Sequence, residues 1–89
     1  MAPTPSAAAI AEVVAGIVCE LLRVATVSWD DDFLALGGAS LSAVHLVVRI
    51  DDRFGVELPL AYVFDHSTIG DIATAVADEL ASTSSAVAT

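Results

Sequence analysis

The stretch DDFLALGGASLSAVHLVVRIDDRFG, residues Asp31–Gly55, changes character once, and that change decides the fold. Up to Gly38 it shows no hydrophobic period. Acids and a glycine pair mark a loop that reaches back to Ala25 and exceeds the usual connection between elements. From Ser40 onward apolar residues recur at helical spacing. On a wheel of about 100° per residue, Ala43, Leu46, Val47, Ile50 and Phe54 share one arc, with Ser42, His45, Arg49, Asp52 and Arg53 opposite. The pattern predicts an amphipathic helix from about Ser40, stopped at Gly55, where glycine suits a left-handed cap. Between the two arcs, contiguous with Ser40, lie Leu41, Val44 and Val48, apolar residues that the core arc does not need. They form a candidate docking strip, unless the next helix covers them through Val63 and Phe64.

Upstream, Ile10, Val13, Val14, Ile17, Val18, Leu21 and Leu22 follow i, i+3, i+4, i+7 spacing, which predicts a first helix over 7–24 with Ser6 as its N-cap. Downstream, Pro59 permits a short helix from Leu60 to about Phe64. Thr68, with Asp71 three residues on, makes a capping-box-like pair ahead of Ile69, Ile72, Ala73, Val76 and Leu80. No alternating run competes with these helices. The fold class is therefore all-α: a small four-helix bundle of three long helices and one short. Residues 1–6 and 82–89 are made of small residues and are read as flexible tails around a domain at 7–81.

Composition narrows the function. The 89 residues can build one small core, and with 56% hydrophobic and 17% charged residues the chain is not disordered. Twelve acids against three arginines give a net charge of -9, which argues against nucleic-acid binding and against docking on anionic membranes. Cys19 stands alone, so it offers neither a disulfide nor a metal cluster, and it reads as a small core residue. His45 and His66 add no ligand spacing, so no metal site is expected. The N-terminus lacks a basic signal-peptide start, and the expectation is a soluble, cytoplasmic monomer.

The segment Asp31–Leu41, DDFLALGGASL, resembles the phosphopantetheine attachment site of carrier proteins, D-x-F-x-x-L-G-G-x-S-L in peptidyl carriers. Further along, RFGVELPLAYVFDHSTIGDIA is similar to the stretch covering the third helix and the start of the fourth in carriers of nonribosomal peptide and polyketide synthases. The resemblance implies that Ser40 bears a 4'-phosphopantetheine supplied covalently by coenzyme A. It also implies a phosphopantetheinyl transferase, an adenylating or acyl-loading enzyme, and condensing or tailoring enzymes as partners. One position departs from the family: Ala39 precedes the serine where aspartate or histidine is usual, which bears on the choice of transferase.

The residues support this assignment on their own terms. A serine at a helix N-cap has its hydroxyl beside backbone N–H groups without internal partners, and a phosphodiester there meets the positive end of the helix dipole. Gly37 and Gly38 leave the approach to Ser40 free of side chains. A hydrolase nucleophile is excluded, because the elbow pattern needs glycine where Ser42 stands, and His45 lies some 140° around the helix at about 100° per residue. No catalytic residue is expected.

The function expected is that of a carrier holding an aminoacyl, peptidyl or acyl group as a thioester and presenting it to biosynthetic enzymes. The alternatives are an acyl carrier of a polyketide or fatty-acid pathway, and an unmodified helical interaction module. Asp30, Asp31 and Asp32 read as a solvated loop or as contacts for a partner's arginines. Phe33 reads as the loop's anchor in the core, His66 as a packing residue, and Trp29 as partly buried against the first helix.

Overall fold

The computed structural model describes residues 6–37 and 40–88, with side chains to Ala81. Four helices are found among the described residues: α1 (Ala7–Leu22), α2 (Ser40–Phe54), α3 (Leu60–Asp65) and α4 (Ile69–Ala88). The order and number are those expected.

Each helix ends for a local reason. Ser6 caps α1, its Oγ accepting from the Ala9 N–H at 3.1 Å. The helix stops at Leu22 rather than 24, because Arg23 turns left-handed at φ 56° and the Val24 N–H closes onto the Cys19 carbonyl at 3.2 Å. Gly55 ends α2 at φ +70°, as its position predicts, donating to the Asp51 carbonyl at 2.7 Å. The Thr68 hydroxyl caps α4 by accepting from the Asp71 N–H at 3.1 Å. The expected C-terminal tail is corrected: the backbone of residues 82–88 continues α4, in a segment with neither glycine nor proline to break it. The expected tail at 1–6 lies outside the described residues except for the capping Ser6.

Helix α1 packs chiefly on α4 and also on α2, and α3 leans on α2. The buried faces are Ile10, Val14, Ile17 and Val18 of α1, Ala43, Leu46 and Ile50 of α2, Val63 of α3, and Ile69, Ile72, Ala73 and Val76 of α4. Phe33 joins them from the loop ahead of α2, fully buried, and so pins that loop to the bundle as expected. Val47 and Phe54, placed in the core arc, are half-buried at its edge. Cys19 is also half-buried, which corrects the expectation of a core residue: it sits one position past Val18, turned off the buried stripe.

Candidate functional site

The site begins at the loop that follows α1, described over residues 23–37, which a clasp holds against the start of α4. Three backbone bonds make it: Phe33 N–H to the Ser67 carbonyl at 2.8 Å, Ile69 N–H to the Asp31 carbonyl at 2.9 Å, and Gly70 N–H to the Trp29 carbonyl at 2.9 Å. The Trp29 ring lies over Gly70, where a Cβ would collide with the indole. Trp29 is 44% exposed, and besides the first turn of α4 it meets α1, whose Ala8, Ala11 and Ala15 share the hollow beside it.

Two of the three aspartates are structural, a role that nothing in the sequence pattern assigns them. The Asp31 carboxylate accepts from the Ser28 N–H at 2.8 Å. Asp32 Oδ1 accepts from the Leu34 N–H at 2.9 Å, the Ala35 N–H at 3.1 Å and the Ser67 hydroxyl at 2.7 Å. The Ser67 hydroxyl, helped by the Ala35 and Leu34 amides, holds the Asp32 carboxyl below its ordinary value against a smaller opposing effect of desolvation. A depressed native pKa stabilises the fold above the unfolded pKa of about 3.9, and that stability disappears as pH falls through the native value. Unfolding free energy measured against pH is thus expected to drop below about pH 4 in the wild type, with part of the drop absent from Asp32→Asn.

From this clasp the chain turns toward α2. The Leu36 N–H donates to the Asp32 carbonyl at 3.0 Å and the Gly37 N–H to the Leu34 carbonyl at 3.2 Å. Gly37 then adopts φ +108°, which side chains resist, with nothing within 4 Å of where a Cβ would stand. The expectations for Gly38 and Ala39 fall outside the described residues.

Ser40 is exposed and is the first residue of α2, one position inside the N-cap place expected for it. Its hydroxyl makes no hydrogen bond to another described residue, so capping does not occupy it. The first turn of α2 carries no acid, and a phosphodiester on Ser40 would meet the helix's positive end without a like charge from that turn. These features fit a serine-linked phosphopantetheine.

The apolar strip beside Ser40 is open: Leu41 is 67% and Val48 51% exposed, with Val44 also exposed. Helix α3 does not cover it. Val63 turns into the core and Phe64 stays outside, so Leu60 and Phe64 of α3 add exposed apolar surface. His45 and His66 are exposed, and His66 stacks on Tyr62 with ring centroids 4.6 Å apart, a packing role as expected. No group of three metal-ligating side chains occurs among the described residues. A groove of about 420 Å³ between α1 and α2 is lined by Gly16, Glu20, Arg49 and Arg53 among others, and does not include Ser40. No helix among the described residues is long and apolar enough to cross a membrane.

Known proteins are similar to this chain in sequence and in fold. Residues 12–76 match the family model described as a phosphopantetheine attachment site. The chain is 45% identical over 69 residues to a linear gramicidin synthase of Brevibacillus parabrevis, and 43% identical over 72 residues to phosphinothricin tripeptide synthetase PhsB of Streptomyces viridochromogenes. These alignments take in 78% and 81% of this chain but only 1% and 6% of those proteins. In structure it is similar, at 31% identity and a TM-score of 0.76, to a chain from the complex of the phosphopantetheine transferase Sfp with coenzyme A and a peptidyl carrier protein. That match covers 88% of this chain and 97% of the other. With the attachment motif, the four helices and the family match in agreement, this chain belongs to the phosphopantetheine-binding carrier family, whose members tether intermediates on a covalent 4'-phosphopantetheine and are not themselves enzymes.

Proposed function

We propose that this chain is a peptidyl carrier, modified at Ser40 and loaded with an aminoacyl or peptidyl group by nonribosomal peptide synthesis enzymes in the cytoplasm. The observation that carries this reading is an exposed serine, free of capping, opening α2 directly after the glycine turn of the family motif. In the modification, Ser40 Oγ gives up its proton and forms an O–P bond to the phosphorus that bears the pantetheine. The pyrophosphate bond of coenzyme A breaks, and adenosine 3',5'-bisphosphate leaves. Once attached, the arm supplies a terminal thiol that takes the cargo as a thioester. The protein's own contribution is positional: tethering raises the concentration of cargo at each partner enzyme.

Similarity to two peptide synthetases favours the peptidyl over the acyl class. The test is to load the holo chain with adenylating enzymes, each with its amino acid and ATP, in parallel with acyltransferases and acyl-coenzyme A. Hydroxylamine-labile aminoacylation supports the reading. Acylation by the acyltransferases alone identifies an acyl carrier, and a chain that takes up no phosphopantetheine is an interaction module.

The transferase and loading enzymes are proposed to dock on Leu41, Val44 and Val48, with Leu60 and Phe64 extending the surface. Val48→Asp is expected to raise the apparent KM for loading by about tenfold while leaving the thermal midpoint nearly unchanged, because a half-exposed side chain carries little of the core. Initial-rate kinetics and circular dichroism separate the two effects. An unfolded variant would place Val48 in the core.

A further inference from the structure

We infer that Asp32 is a positioning residue for the modification of Ser40: its carboxylate clasps the loop ahead of α2 to the turn ahead of α4 and so sets where the serine stands. This rests on the reading of Ser40 as the attachment residue. One oxygen, Asp32 Oδ1, takes all three bonds. The donors at Leu34 and Ala35 bend the loop toward Gly37, and the Ser67 hydroxyl ties that bend to a segment 35 residues away. Ser67 is buried, and the Asp32 carboxylate is the acceptor for its hydroxyl. Losing the carboxylate therefore strands a buried donor as well as freeing the bend.

The path from the clasp to the serine is short. Leu36 and Gly37 are bonded back onto Asp32 and Leu34, and three steps from Gly37 the chain reaches Ser40. On the far side the first core residue of α2 is Ala43, so Ser40 and exposed Leu41 lie between that anchor and the clasp. A loop released at Asp32 lets the first turn of α2, Leu41 included, move while Val44 and Val48 of the docking strip, held through Ala43, Leu46 and Ile50, stay in place. The expected defect is thus in the chemical step more than in binding.

The experiment measures transfer of phosphopantetheine to the full chain by a broad-specificity phosphopantetheinyl transferase with coenzyme A and Mg²⁺. Asp32→Ala is expected to lower kcat by about tenfold with little change in KM, since small displacements of a reacting group are felt strongly in the rate. Asp32→Asn keeps an oxygen acceptor and is expected to restore most of kcat. Ser67→Ala removes only the cross-link and is expected to fall between them, which keeps the test in force if Asp32→Ala fails to fold. Val76→Ala, a core truncation two turns along α4, serves as the control for lost stability and is expected to retain kcat. Hydrogen exchange gives a readout apart from transfer: the Val44 and His45 amides, in the first internally bonded turn of α2, are expected to exchange faster in Asp32→Ala while those of mid-α4 do not. Wild-type kcat in Asp32→Ala and Ser67→Ala, a failure of asparagine to rescue, or an equal loss in Val76→Ala would overturn the inference. A wild-type chain unmodified at Ser40 would instead overturn the underlying reading.

Discussion

Alanine in place of Ser40 is expected to leave the protein fully folded and unable to take up phosphopantetheine. The serine is exposed, opens α2, and bonds through its hydroxyl to none of the described residues, so its removal forfeits no packing and no cap. Surface changes of this kind stay within about 0.5 kcal/mol of neutral, and alanine suits the first turn of a helix. The loss of modification is expected to be complete because the neighbouring hydroxyl, Ser42, is half-buried and about 200° around the helix at 100° per residue. Intact mass after incubation with coenzyme A and a transferase, with the thermal midpoint beside it, checks both halves of the statement. Full modification of Ser40→Ala would assign the arm to another residue.

Phe33→Ala is expected to act in the opposite way, through the fold. Phe33 is fully buried and, among the described residues, is the only large side chain that the loop ahead of α2 sends into the centre of the core. Truncating a buried phenylalanine destabilises by about 3 to 5 kcal/mol, a large part of the roughly 5 to 13 kcal/mol typical of a domain this size. The thermal midpoint is expected to fall by roughly 15 to 25 °C, and denaturant unfolding gives the free energy directly. The clasp bonds of Trp29, Asp31 and Phe33 to residues 67–70 depend on this anchor, so slower modification of Ser40 is expected even where the variant remains folded. A loss below about 1 kcal/mol would mean that the loop is held by the clasp alone.

Helical periodicity made α1, α2 and α4 legible in the sequence, and capping chemistry at Ser6, Gly55 and Thr68 marked one end of each. These are local patterns, and local patterns survive in one dimension. The open strip was legible too, since Leu41, Val44 and Val48 stand off the core arc on a simple wheel. The features that were not legible depend on distant partners. Asp32 appears in the sequence as one of three solvated acids, and only the fold brings Ser67 to it across 35 positions. Trp29 finds its seat on Gly70 for the same reason, through a glycine that no local rule connects with it. Arg23 ends α1 in a left-handed conformation that glycine or asparagine usually takes, so the sequence held no signal for stopping at Leu22. The extension of α4 through residues 82–88 was hidden by serine and threonine, whose presence suggested a linker although no residue there breaks a helix.

The most direct test of a carrier modified at Ser40 is peptide mapping by tandem mass spectrometry of the wild-type chain after reaction with coenzyme A and a broad-specificity transferase. A single phosphopantetheine is expected, carried by the fragment containing LGGASL and localised to Ser40. An arm found on Ser42 or on any hydroxyl outside that fragment, or no arm at all, would contradict it.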